Sequence, residues 1–347
     1  SYTGTAAQTE TGRWTSAAAM ALKCKILQFA ASPLFNNDKP YYGGSTKAEQ
    51  DSLVWYGGYH QELWTECREA CDEFFNALAA NGHYQMVMPT ANTQEAYRYA
   101  FRYGYVNQGS PEVLYSVRVT NSTHDSKYQG YTLMYGRNDR YAYTPTEEYV
   151  EMFPWRDGTP FNWNKDSVAG RLDTMFVKGD RVTGMQDLQN RVLTRDPRLY
   201  ETVYINGVPQ QTNWTDGNAT GDICESWVGG TDANQQPATE NGAFASGYFN
   251  RKYVVGSCYD RQFPQWDVIR MSDMYLTYAE ALLQADNDFN GALHYIDLVR
   301  SRVGMKGLAE CNPDKNLTSD KNALLEELLR ERACELGFEN ERYFDLI

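Results

Sequence analysis

Arg270–Met271–Ser272–Asp273–Met274–Tyr275–Leu276–Thr277–Tyr278–Ala279–Glu280–Ala281–Leu282 is followed, after a polar break at Asp286–Asn287–Asp288, by Ala292–Leu293–His294–Tyr295–Ile296–Asp297–Leu298–Val299–Arg300–Ser301–Arg302–Val303–Gly304. Leu276, Ala279, Leu282 and Leu283 recur at helical spacing, and so do Leu293, Ile296, Val299 and Val303. Ser272 is expected as an N-cap, with Asp273 in the first turn and a staple between Met271 and Leu276. A break this short forces two antiparallel helices, and Gly304 offers a left-handed stop. A third helix, from about Asp320, is expected to turn Leu324, Leu325, Leu328, Leu329 and Leu336 inward before Gly337 ends it. Helix pairs of this length are similar to tetratricopeptide units.

Outward from there the chain divides into three zones. Residues 10–102 read as helical scaffold. Thr15 or Ser16 caps an alanine-rich run that Ser32–Pro33 closes. Leu63, Cys67, Cys71, Phe74 and Leu78 keep helical spacing as far as Asn81–Gly82. Residues 103–267 are irregular and rich in Gly, Asn, Thr, Tyr and Trp. Within them Thr144–Pro145–Thr146–Glu147 reads as a capping box with Pro at N1, opening a short helix through Met152. Asp196–Pro197–Arg198–Leu199 through Asn206–Gly207 reads as a strand ending in a hairpin turn, and Asn213 to Gly247 as loop. Residues 268–347 are again helical scaffold. The fold class is therefore mainly α: helix pairs form a scaffold, and a long loop-rich insertion carries a few short strands.

Composition narrows the function. The net charge of −13 over 347 residues leaves no basic cluster for nucleic acid. Aromatics make up 14 %, including 26 Tyr and 8 Trp, and flat rings with one polar handle suit sugar rings or peptide side chains. The seven cysteines include no Cys-x-x-Cys pair; Cys24, Cys67, Cys71 and Cys334 fall in helical patterns and read as small buried hydrophobes rather than disulfides or zinc ligands. His60, His83, His124 and His294 share no ligand spacing, and no nucleophile elbow, P-loop or dinucleotide fingerprint occurs. Asp286 through Asp297 nearly fits a twelve-position calcium loop, with Gly291 at the sixth place. The helical stripe running through Ala292, Leu293 and Ile296 leaves that loop no room to wrap an ion. Glu331 and Glu335, at i and i+4, suggest a carboxylate pair. Glycosidases need opposed carboxylates across a cleft, however, so Arg300, Arg302, Glu331, Arg332, Glu335, Glu339 and Arg342 are expected to form an ion lattice between helices, with Arg300 or Arg302 contacting a carboxylate of the last helix.

Binding residues are sought in the irregular zone, because loops on a rigid scaffold carry recognition. The candidates are Tyr131, Tyr135, Arg137, Trp155, Trp163, Trp214 and Trp227, with Tyr141 and Tyr143 nearby. An exposed Trp in a phrase such as Phe161–Asn162–Trp163–Asn164 can stack on a sugar while amides bond its hydroxyls, and Arg137 can add charge-assisted bonds.

Several phrases in order resemble one family: Gly12–Arg13–Trp14–Thr15 through Leu34–Phe35–Asn36, Ser110–Pro111–Glu112–Val113–Leu114, Pro145–Thr146–Glu147–Glu148 with Met152–Phe153 and Asp157–Gly158, and Glu331–Arg332–Ala333–Cys334–Glu335 through Arg342–Tyr343–Phe344–Asp345–Leu346. The chain resembles the SusD/RagB family of surface nutrient-binding lipoproteins. The resemblance implies a binding protein without catalysis or cofactor, on the extracellular face of a bacterial outer membrane. It implies capture of an oligosaccharide on an arc of aromatics, and delivery to a SusC-type TonB-dependent transporter. Both ends read as cut, so the N-terminal lipid-anchor cysteine is expected in a missing part. A RagB-type member would take oligopeptides instead. An all-α glycoside hydrolase would share the acidity and the aromatic content.

Overall fold

Thr15 takes the N–H of Ala18 on its hydroxyl at 3.1 Å and starts the first helix, α1 (Ser16–Ala31). The computed structural model describes residues 12–41, 46–51, 53–107, 109–118, 145–178, 192–208, 248–252 and 265–347. After α1 come α2 (Lys47–Gln50), α3 (Gln61–Asn81), α4 (Gln94–Val106) and β1 (Val113–Arg118). The middle of the chain holds α5 (Glu147–Met152), α6 (Trp163–Val168), β2 (Val177–Lys178), β3 (Val192–Leu193), α7 (Leu199–Thr202), β4 (Val203–Tyr204) and β5 (Phe249–Asn250). Then follow β6 (Gln265–Arg270), α8 (Met271–Asp286), α9 (Phe289–Ser301), α10 (Leu308–Cys311), α11 (Lys321–Leu336) and α12 (Arg342–Leu346). The fold is mainly α with a few short strands, as the sequence predicts.

Small residues set the packing of the first layer. Ala21 and Cys24 of α1 are fully buried against Cys67, Cys71 and Phe74 of α3. With Ala21 and Cys24 at the contact the helices approach closely enough for the Cys67 thiol to reach the Cys24 carbonyl at 3.7 Å. Met274, Tyr278 and Leu282 of α8 close this layer. The opposite side of α8, through Leu276, Ala279 and Leu283, meets Leu293, Ile296 and Val299 of α9 and Leu324, Leu328 and Leu336 of α11. A leucine buried on this scale contributes about 2 kcal/mol. So α8 is the shared wall of two helix layers, and for that reason it carries apolar residues on more than one face. The five cysteines among the described residues are free and buried.

Three start sites differ from the sequence reading. Helix α8 begins at Met271 with Arg270 in the cap position, and the Ser272 hydroxyl accepts from the Arg270 guanidinium instead of capping. A buried arginine has five N–H groups to satisfy, and that demand outweighs one cap. Helix α5 takes Thr146 as its cap, two residues beyond Thr144, with the Tyr149 N–H on the Thr146 hydroxyl at 3.3 Å. The segment read as one long strand from Asp196 starts as the helical turn α7, and only β4 is extended, paired antiparallel with β5. Asp196 accepts the Arg198 N–H at 2.9 Å, which is an N-terminal helical turn rather than strand geometry. Leu325 and Leu329 are half-buried rather than core. The loop expected at Asn213 to Gly247 lies outside the described residues.

The Asp286–Asn287–Asp288 break is a helix junction. Asn287 adopts a left-handed conformation (φ 51°) that ends α8. Asp288 caps α9 by accepting the Gly291 N–H at 2.9 Å, and Asp297 accepts the Leu308 N–H at 2.7 Å. Asp286 pairs with Arg68 at 3.2 Å. These carboxylates serve the backbone and a neighbouring helix. Asp288→Ala is expected to cost about 1 kcal/mol of unfolding free energy, the usual value of a lost cap, equally with and without calcium. Stability that rises with calcium in the wild type and not in the variant would contradict this assignment.

Candidate functional site

The β1–β6 ladder fixes where charge is buried. Its register pairs Val113 with Arg270, and the Met271 N–H bonds the Glu112 carbonyl at 2.9 Å. Glu112 and Arg270 are thereby brought side by side at 2.7 Å, under helices α9 and α11. From there the lattice spreads. Arg302 reaches Glu112 at 3.0 Å and also Glu335; Arg270 reaches Glu335 and Glu339, each at 2.7 Å; Arg198 reaches Glu335 at 3.1 Å and Glu331 at 2.6 Å; Arg300 reaches Glu331 at 3.1 Å. Lys252 pairs with Glu339. The expected contacts of Arg300 and Arg302 with the carboxylates of α11 are both present. The lattice is larger than the sequence reading, which missed Asp196, Arg198, Lys252 and Arg270. Glu112 and the Asp196–Pro197–Arg198 turn lie in stretches the sequence reading had singled out for other reasons. The readable signal was charged residues recurring inside otherwise apolar or turn-forming stretches.

Electrostatics assign this lattice a structural role. Burial alone would raise the Glu335 carboxyl, but the guanidiniums of Arg302, Arg270 and Arg198 outweigh it and hold the group well below the usual carboxylate range. A general acid for glycoside cleavage needs the opposite shift, in an open cleft. Glu331 and Glu335 are 3 % and 0 % exposed and bound to arginines, so this pair is not placed to protonate a substrate.

A different corner presents the Trp163 ring to solvent. Trp155 lies between the turn Trp155–Gly158 and β3, bridged to Arg195. Its indole N–H donates to Asp166 at 3.1 Å, and the Arg171 guanidinium covers its face at 3.8 Å from the ring centre. Asp166, buried in α6, also accepts the Asn162 N–H at 2.8 Å and pairs with Arg171 at 3.2 Å. Asn162 caps α6 through the Lys165 N–H at 2.9 Å. One carboxylate thus ties the indole, the helix start and a surface arginine together. On this mount Trp163, the first residue of α6, stands 42 % exposed with the edge of Phe161 beside it (centroids 6.3 Å apart).

The sequence candidates therefore separate. Trp163 has the expected exposure, with exposed Asn164 next to it. Trp155 does not: at 4 % exposure, and with its face covered, it supports Trp163 and offers no open ring. The reason is the buried Asp166, which the sequence reading did not single out and which draws the indole N–H inward. Asn162, expected to bond hydroxyls, spends its oxygen on the helix cap. Tyr131, Tyr135, Arg137, Tyr141, Tyr143, Trp214 and Trp227 lie outside the described residues. Sequence reasoning also passed over Trp14, 41 % exposed and stacked on Tyr115 at 4.0 Å.

Two concavities lie among the described residues. A cavity of about 170 Å³ lies between Thr15, Phe74, His83 and Tyr84. A groove of about 580 Å³ runs between α1 and α12, floored by Ile26, Phe29, Leu325, Leu329 and Phe344. No group of His, Cys, Asp or Glu among the described residues is arranged to hold a metal ion. Among those residues no helix is long and apolar enough to cross a membrane.

Comparison with known proteins gives one family match and several fold matches. The family model described as the SusD family matches residues 111–347. A SusD-like protein of Bacteroides fragilis has a similar structure, with a TM-score of 0.63 and 20 % identity, over 100 % of this chain and 56 % of its own. SusD superfamily proteins of Bacteroides vulgatus (TM-score 0.51, 16 % identity, 96 % of this chain and 52 % of that one) and Parabacteroides distasonis (0.50, 16 %, 97 % and 53 %) are also similar. At these identities the likeness concerns the fold, and the chain spans little more than half the length of these structures. No curated protein matches it.

Proposed function

The chain belongs to the SusD family, and from that premise we propose that it captures an oligosaccharide at the extracellular face of a bacterial outer membrane without altering it. Delivery then goes to a SusC-type TonB-dependent transporter, with the protein held to the membrane by a lipid on an N-terminal cysteine. No cofactor takes part. Residues 10–102 and 268–347 form the scaffold, and the insertion 103–267 carries the ligand face.

The observation that carries this reading is Trp163: a large ring, 42 % exposed, on a mount that burial and an ion pair make rigid. A stacking surface already fixed in place loses little entropy when a sugar binds. Indole faces suit the C–H faces of pyranose rings, and exposed Asn164 supplies hydroxyl partners. Tyr131, Tyr135, Arg137, Trp214 and Trp227 are proposed to extend this face.

Trp163→Ala is expected to weaken binding of the cognate glycan about tenfold, the equivalent of about 1.4 kcal/mol, measured by titration calorimetry. The melting temperature is expected to stay unchanged, because an exposed ring contributes little to folding. Unaltered affinity would remove Trp163 from the site.

A further inference from the structure

A second charged cluster, between α4, α7 and β5, has no part in the reading above. Glu201, buried in α7, accepts from Arg98 Nε at 2.6 Å and from Arg102 Nη1 at 3.2 Å, and Arg251 Nε approaches it at 3.9 Å. The three arginines are 2 %, 2 % and 4 % exposed. One carboxylate therefore faces three guanidiniums. In the ion pairs around Glu335 the charges balance: Glu112, Asp196, Glu331, Glu335 and Glu339 stand against Arg198, Lys252, Arg270, Arg300 and Arg302, while burial pushes the neighbouring Asp267 carboxyl up, toward its neutral form. Around Glu201, among the described residues, they do not. Burial, joined by the charges of Arg251 and Arg102, holds the Arg98 guanidinium below its ordinary value despite Glu201.

Hydrogen bonding shows the same deficit. Among the described residues, Arg98 Nη2, Arg102 Nε and Nη2, and Arg251 Nε are buried without a hydrogen-bond partner, and so are both amide atoms of Gln94, one turn before Arg98 on α4. Arg102 keeps its whole Nε–Nη2 edge free. That edge is the planar two-donor fork that matches two oxygens of one oxyanion. A guanidinium cannot shed its surplus charge by losing a proton, and buried donors in native proteins are almost always paired. A small oxyanion supplies both things these donors lack among the described residues, acceptor oxygens and negative charge.

We propose that Arg98, Arg102 and Arg251 form an internal binding site for a small oxyanion, of the carboxylate, sulfate or phosphate type, seated on the free edge of Arg102. The occupant serves as a counter-charge and locks α4 to the α7 turn and β5. The site is independent of the glycan reading, since Trp163, which carries that reading, lies on α6, whereas the arginines lie on α4 and directly after β5.

The test is thermal unfolding of the protein in chloride buffer, titrated with sulfate, phosphate or acetate at matched ionic strength. Wild type is expected to show a saturable rise of about 3 °C over chloride with at least one of them, and the three arms rank the oxyanion types. Arg102→Gln is expected to abolish the rise. Since that variant can fail to fold, Gln94→Glu is the second: it places the absent charge inside the protein. It is expected to melt above wild type in chloride and to ignore added oxyanion. A wild type indifferent to all three anions means that water fills the niche and overturns the proposal. A Gln94→Glu protein that still responds, or that is no more stable than wild type in chloride, overturns the placement.

Discussion

Glu335→Ala is expected to lower the unfolding free energy by about 3–5 kcal/mol, the scale of a broken buried ion pair. The substitution strips one carboxylate from three buried guanidiniums, those of Arg198, Arg270 and Arg302. None of them can reach water as the chain is folded, and each is at most 1 % exposed. The cost is therefore mostly that of the charges left behind, not the net worth of the pairs. Domains are stable by only about 5–15 kcal/mol, so a large loss of soluble protein is expected as well. Denaturant unfolding measures it. A change below about 1 kcal/mol would mean that water already enters the lattice.

Acid pH gives the same contrast without a cavity. The folded Glu335 carboxyl is held well below its ordinary value of 4.5, so its contribution is fully present above the unfolded pKa. It is lost only as pH falls through the depressed folded pKa. Glu335→Gln removes the titration and keeps the shape. The stability gap between wild type and Glu335→Gln should stay constant from neutral pH down to about pH 5 and shrink below about pH 4. A gap that closes already between pH 7 and pH 5 contradicts the assignment.

Gly158→Ala is the second large effect. Gly158 sits at φ 91°, outside the conformations an L-residue adopts without strain. A Cβ there would lie 2.5 Å from Arg300 Nη2 and 2.9 Å from the Cys311 sulfur. The arginine cannot swing clear, because it holds Glu331 at 3.1 Å and the Lys306 carbonyl at 3.0 Å. Backbone strain and a displaced lattice arginine together are expected to cost about 3 kcal/mol. Gly158 also closes the turn that carries Trp155, by donating its N–H to the Trp155 carbonyl at 2.8 Å. The variant should therefore weaken ligand binding as well as folding, whereas Trp163→Ala affects binding alone. A Gly158→Ala protein with normal melting and normal affinity would show that the turn and the helical frame are uncoupled.

The helical scaffold was legible because it is written in period. Of the expected stripe, Leu276, Ala279 and Leu283 share one face while Leu282 turns to the other layer; Thr15 rather than Ser16 is the cap, and the polar break is the helix junction expected from local chemistry. The exact start of α8 was not legible, because Ser272 looks like a cap until Arg270 needs its hydroxyl. The same holds for the Asp196 segment, whose turn is decided by Arg198 and the distant Glu335. At the candidate site, the exposure of Trp163 could be read from its polar neighbours. The burial of Trp155 could not, because it depends on where Asp166 lies in three dimensions. Sequence patterns record periodicity and caps; they do not record which side of a ring another element covers.

The central claim is that an ion-locked helical frame holds solvent-facing rings that bind a glycan and leave it intact. The most direct measurement is one incubation of the protein with a panel of polysaccharides and oligopeptides, read both for complex formation and for newly released ends. The account predicts a complex with at least one glycan, none with the peptides, and no increase in reducing ends. New reducing ends, or a complex formed with peptides alone, would contradict it.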